Sequence, residues 1–327
     1  LTAPEKQKIT LTCEVDSYRS GWTIVRFLAH RFKYHAAERW TARVADGWVL
    51  VNGSRVAPDH EVKKGDAVTY TIFHVEPEVD FRYEVVYEDD WLLAISKSGN
   101  IPVHACGVYI RNTLIATLKN IYGDSLNLAH RLDRETSGLT LLTKDAQTAR
   151  AMGKMFAGGA VAKLYAAVVH GRVERESFTV DAPIGKTIEE VTPRPEDIMG
   201  SDLAADLPRF VPRRRVDREK GKPSVTRFEV ERYLGSCTLV QAIPLSGRTN
   251  QIRVHLHHAG HPIVGDKVYK PAEPDSIDDS IARQALHCRE LRFSHPATGR
   301  DLRLDAPYPD DFARLVARLE EREGESA

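Results

Sequence analysis

The sequence predicts an α+β protein: a mixed, mainly antiparallel sheet flanked by helices, preceded by a small amino-terminal α+β module. Three observations predict it. Two-residue alternation recurs in short runs separated by turn residues, the mark of hairpins. Helical periodicity appears between some of these runs, yet strand–helix–strand spacing never repeats as a parallel sheet would require. The pattern also changes near residue 80, where the acidic, proline-containing stretch HVEPEVD separates residues 1–80 from 81–327.

In the first part, residues from about 18 to 75 read as one compact unit. TIVRFLAHRF places Ile24, Phe27, Leu28 and Phe32 at helical spacing, with Thr23 as the cap. A second helix covers roughly Ala36 to Ala45. GWVLVNGSRV reads as two short strands about Asn52-Gly53, the favoured hairpin dipeptide, and KKGDAVTYTIF adds a third strand.

In the second part, VVYEDDWLLAISKS predicts a hairpin and RNTLIATLKNIYG a helix. GLTLLTKD predicts a strand, DAQTARAMGKMFAGG a helix ended by Gly158-Gly159, and KLYAAVVHGRV another strand. A polar segment from about Lys186 to Lys222 interrupts the pattern. SVTRFEVERYLGSCTLVQAIPL then gives two strands joined at Leu234-Gly235. NQIRVHL alternates, so it is read as a strand with Ile252 and Val254 on one face and Arg253 on the other.

Composition narrows the function. The 327 residues are 42% hydrophobic and 28% charged, which excludes a disordered chain. No run of about 18 apolar residues exists, so no membrane partner is expected. The first residues lack the basic-then-apolar pattern of a secretory signal, and Cys13, Cys106, Cys237 and Cys288 are few and far apart. A cytoplasmic protein is expected. The 46 basic residues balance 46 acidic ones, so any nucleic-acid contact must be a local patch. One candidate is Arg209 to Lys222, with seven basic residues, among them Arg213, Arg214 and Arg215, against two acids.

LAHRLDRETSGLTLLTKDA is the segment richest in chemistry. Asp133 follows His130 and Arg131, and small polar residues then open an apolar strand. Such a loop can hold a carboxylate at a cleft wall, where neighbouring bases favour its ionised form. Read alone, Asp133 would more often be a turn cap. The cluster His255, His257, His258 and His261 suggests zinc, but no cysteine or acid stands at ligand spacing, so no metal is expected. No glycine-rich run precedes Lys-Ser or Lys-Thr, which argues against ATP.

HRLDRETSGL resembles the active-site signature of the RluA-type pseudouridine synthases. KSGNIPVHACG, KLYAAVVHG, LSGRTNQIRVHLHHAGHPIVGD and ALHCRELRFSHPATGR with DAPYPDDF resemble that family's other segments, in order, across roughly Tyr83 to Phe312. VHACGVYIRNTL looks most like the branch with eukaryotic tRNA and mitochondrial members, with bacterial enzymes of large-subunit ribosomal RNA as close competitors. GWVLVNGSRVAPDHEVKKGDAV resembles the small RNA-binding module named after a ribosomal small-subunit protein, although its helices carry few bases.

The resemblance implies isomerisation of uridine to pseudouridine in ribosomal or transfer RNA, a redox-neutral reaction that needs no cofactor. It implies Asp133 as nucleophile or base, Arg253 as the cation paired with it, and Tyr165 as an aromatic that stacks on the base and moves the proton from carbon 5. His130 is expected to orient the loop or contact phosphate, and Arg131 to hold RNA phosphate or fill the space left by the extruded base. Lys97, Arg248, Asn250 and the Arg213–Arg215 run, in a mobile loop, are expected to face RNA. The family default is a monomer. Asn250 stands where His is commoner and cannot carry a proton, and Ser98 replaces a usual Pro. Two competitors are an RNA-binding protein with a vestigial synthase domain and an Asp-dependent hydrolase. The hydrolase requires a second carboxylate about 5 to 10 Å away.

Overall fold

The computed structural model describes residues 7–32, 35–107, 109–191, 209–273 and 275–325. The chain divides into two compact units, Leu1–Pro77 with Ile188–Pro212, and Glu78–Thr187 with Arg213–Ala327.

The first unit contains β1 (Gln7–Glu14), α1 (Ile24–Arg31), α2 (Ala37–Ala45), β2 (Val49–Val51), β3 (Ser54–Arg55) and β4 (Ala67–His74). Its antiparallel sheet runs β1-β4-β2-β3. The Thr23 hydroxyl accepts from Arg26 N at 3.3 Å and starts α1 as expected. Asn52 and Gly53 both take positive φ, 51° and 80°, the geometry that a two-residue hairpin demands. Phe27, Leu28, Trp40, Val49 and Ile72 are buried between helices and sheet. Strand β1, absent from the sequence reading, pairs along β4 from Gln7↔His74 to Glu14↔Ala67. Its threonines and half-buried Leu11 and Cys13 leave too weak an apolar signal for a strand at a sheet edge.

The second unit is built on β5 (Tyr83–Glu88), β6 (Leu92–Lys97), β7 (Asn127–Leu128), β8 (Ser137–Thr143), β9 (Ala162–His170) and β10 (Ser177–Asp181). It continues through β13 (Val225–Leu234), β14 (Cys237–Pro244), β15 (Leu286–Ser294) and β16 (Asp301–Asp305). The order is β10-β13-β14-β9-β15-β8-β6-β5, with β16 on β15 and β7 on β8. Among these pairings only β15 with β8 is parallel, so the mixed, mainly antiparallel architecture is as predicted. Helices α3 (Leu114–Tyr122) and α4 (Ala146–Ala157) are capped by Thr113 and Asp145. They are joined by α5 (Gln251–His258) and α6 (Asp310–Glu325). No described helix is long and apolar enough to cross a membrane.

Every residue of β8 is buried. Burying each leucine of this strand contributes about 1.5–3 kcal/mol, which makes β8 a rigid base for the loop before it. Strands β11 (Ile184–Val191) and β12 (Arg209–Val216) pair as a separate two-stranded sheet. This corrects the expectation of a loop at Arg213–Arg215. The acid-rich stretch from Ile188 to Asp206 lies outside the described residues beyond Val191.

Candidate active site

Asp133 sits in the turn between β7 and β8. Thr136 N donates to its backbone carbonyl at 3.1 Å, while Leu132 points into the core. Gly138, at φ 103°, pairs in parallel with Cys288. A Cβ there would lie 2.2 Å from Cys288 O, so only glycine lets β15 approach this close. The Ser137 hydroxyl lies 3.0 Å from the His287 ring and ties the same joint.

Arg253 was expected on a strand but lies in helix α5. All of Gln251 to Leu256 is buried, polar Gln251, Arg253 and His255 included, so the helix has no solvent-facing side there and the polar–apolar alternation imitates a strand. The guanidinium takes two carboxylates at once. Its Nη1 donates to Asp133 Oδ2 at 3.0 Å, while Nε and Nη2 donate to Asp266 Oδ2 and Oδ1 at 2.7 and 2.8 Å. Asp266 also accepts from Val268 N and Tyr269 N. Burial opposes charge on both partners, but their pairing outweighs it: Arg253 is pushed up and Asp266 is held below the usual carboxylate range. The Asp133 side chain is 30% exposed and that of Arg253 only 7%, so a fixed cation backs a reachable carboxylate.

Asn250 precedes α5 in the left-handed region at φ 56°, which Asn tolerates better than most residues. With its amide nitrogen toward Asp133 it donates to Oδ1 and Oδ2 at 3.2 and 3.0 Å and accepts from the Tyr269 hydroxyl at 3.1 Å. Asn250, expected to face RNA, thus also touches the Asp133 carboxylate.

Tyr165 lies on β9 opposite Ala242 and Cys288. Burial, then the neighbouring Cys288 and the Asp133 charge, push its phenol well above its ordinary value, so the hydroxyl keeps its proton. His130 stacks on Phe156 at 5.0 Å, and its Nε2 accepts from Leu141 N at 3.1 Å. Burial lowers its pKa to about 3. Of the two roles expected, the neutral, inward ring fits loop orientation and not phosphate contact. Arg131 is exposed and hydrogen-bonds the His104 ring. Arg248 is exposed too, its Nε donating to Pro223 O at 3.3 Å. On β12, Arg214 N donates to the Tyr269 hydroxyl at 3.3 Å, which ties the basic strand to the residues around Asp133.

Lys97 is the clearest correction. It is 2% exposed and cannot meet RNA, because Nζ turns inward to Ser98 O at 2.9 Å and Arg134 O at 3.0 Å. Burial, and then the Arg283 charge, lower its pKa from 10.5 to about 7. Between those values the unfolded chain still binds the proton that the folded chain has lost. Stability due to this group therefore rises with pH from about 7 to about 10.5. Lys97→Met is expected to flatten that rise, read from melting temperatures across the range; an identical slope would contradict the assignment.

Sequence reasoning missed Asp266 and Tyr269. Asp266 closes the basic motif and Tyr269 follows it, but their distance from Arg253 matches no secondary-structure period.

The model of a family described as RNA pseudouridylate synthase matches residues 92–258. A Bacillus subtilis protein called an uncharacterized RNA pseudouridine synthase is 32% identical over 290 residues, covering 84% of this chain and 87% of that one. Ribosomal large subunit pseudouridine synthase C of Yersinia pestis is 30% identical over 332 residues, covering 97% and 96%. The solved structure of human RNA pseudouridylate synthase domain containing 4 superposes with a TM-score of 0.54 at 25% identity, over 72% of this chain and 92% of that one.

Proposed function

Because this chain belongs to the RNA pseudouridylate synthase family and is thereby an RNA-modifying isomerase, we propose that Asp133 is the residue that reacts with the target uridine, as nucleophile or base. The observation that carries this reading is the 3.0 Å contact between Arg253 Nη1 and a partly exposed Asp133 carboxylate. A buried guanidinium holds that carboxylate in one rotamer while part of it stays open to solvent.

The reaction breaks the bond between sugar carbon 1′ and base nitrogen 1, turns the base, and joins carbon 1′ to carbon 5. The proton on carbon 5 is then exchanged for one on nitrogen 1, so atoms and electrons balance without a cofactor. Tyr165 supplies a ring for the base to stack on, and its hydroxyl gives its proton to nitrogen 1 as it takes the one leaving carbon 5, ending protonated as it began. A uridine inside folded RNA must first leave its stack, which costs a few kcal/mol. Arg131, Arg248 and Arg213–Arg215 offset that cost through phosphate contacts.

Ribosomal RNA is the favoured substrate over transfer RNA, because the Yersinia pestis relative carries the large ribosomal subunit in its name. The amino-terminal residues 1–80 act as an accessory RNA-binding module to a catalytic domain of residues 81–327, in a cytoplasmic monomer. The vestigial-domain alternative gains no support, since Asp133 and Arg253 remain paired.

The test is to incubate the protein with cellular RNA lacking the modification and to map reverse-transcription stops after carbodiimide treatment. New stops at defined uridines are expected. Tight RNA binding without any stop would leave a binding protein and overturn the proposal.

A further inference from the structure

We infer that Arg283 is a positioning residue for Asp133 and that Asp311, on the terminal helix α6, acts through it; this rests on the role proposed above for Asp133. The three residues after Asp133 are each held by a different side chain. Lys97 Nζ donates to Arg134 O at 3.0 Å, Arg283 Nη1 to Glu135 O at 3.1 Å, and Gln284 Nε2 to Thr136 Oγ1 at 3.0 Å. Thr136 N in turn donates to Asp133 O, so the grip reaches the reacting residue through one backbone bond.

Arg283 is the hub of this arrangement. It is 4% exposed, and Nη1 also donates to Gln284 O and Leu286 O. Nε and Nη2 form a fork on Asp311 at 2.7 and 2.8 Å, which balances the buried charge. The neighbouring loop is shaped around the guanidinium, because a Cβ on Gly99 would lie 2.1 Å from Arg283 Nε. Only a planar group with donors on separate nitrogens spans Asp311 and the Glu135 carbonyl together. A lysine keeps the charge but has one nitrogen to place. The loop therefore depends on α6, more than 170 residues further along the chain.

Arg283→Lys and Asp311→Asn test this on RNA substrate. A reacting group displaced by about 1 Å loses roughly 100-fold in rate. The expected result for Arg283→Lys is a kcat lowered about 30- to 100-fold with KM within about threefold, since exposed Arg131 is untouched. Asp311→Asn, at a side chain 39% exposed, is expected to give a smaller loss of the same kind and covers the case in which Arg283→Lys does not fold. Backbone amides of Glu135 to Ser137 should exchange with deuterium about tenfold faster in both variants, with β14 unchanged. A kcat within twofold of the parent, or faster exchange spread evenly through the unit, would overturn the inference. If the parent itself shows no isomerisation, the proposed function fails, and the exchange data alone still decide whether Arg283 holds the loop.

Discussion

Asp133→Asn is expected to abolish conversion, lowering turnover by more than about 10³-fold while RNA affinity stays within about tenfold. The substitution conserves shape and removes only the charge. Arg253 keeps its fork on Asp266, so no buried cation is stranded. The new amide also finds partners. Its oxygen accepts from Arg253 Nη1, and its nitrogen can donate to Asn250, whose own amide can turn to present oxygen while its nitrogen donates to the Tyr269 hydroxyl. The protein should therefore fold and bind RNA normally, which makes the lost turnover chemically interpretable. Single-turnover assays with filter binding measure both quantities. Full activity in the variant would refute the assignment.

Asp266→Asn should do the opposite, harming stability first. Its side chain is fully buried and satisfies two guanidinium nitrogens together with two backbone N–H groups. Removing one partner of a buried ion pair costs about 3–5 kcal/mol, because the other charge remains desolvated. Arg253 would then have only the partly exposed Asp133 to answer its charge. Urea unfolding should show the loss, and turnover should fall with it as Arg253 drifts from its place behind Asp133. Acid works through the same group: the folded pKa of Asp266 is depressed, so its stabilisation is present above the ordinary carboxylate value and lost as pH falls through the folded one. A variant within about 1 kcal/mol of the parent would mean that Asp266 is not the anchor of Arg253.

Reading the chain in order recovered most strands and helices, since turn dipeptides and caps are local signals. Thr23 and Asn52-Gly53 lie where those signals put them. Local signals failed where an element is buried on every side. Helix α5 buries its first six residues on every side, and their polar–apolar alternation mimicked a strand. They failed again for charged side chains, because a lysine or histidine reads as surface until its neighbours are known. Lys97 and His130 both turn inward, each held by backbone groups of distant residues. The arginine run on β12 presented a third case, in which paired strands stand where the resemblance implied a mobile loop.

Hairpin turns, most helices, the candidacy of Asp133 and the family itself were legible in the linear order of residues, because each rests on neighbours or on short motifs. The resemblance implied Arg253 as the partner of Asp133, but its place between Asp133 and Asp266, and the grip of Arg283 on the loop, were decided only by folding. Arg253 stands 120 residues from Asp133, and Arg283 meets Glu135 across 148. Contacts at such separations follow from the order in which strands join the sheet. Whether a charge is solvated or buried against a carbonyl depends on those contacts, and so does the chemistry it can support.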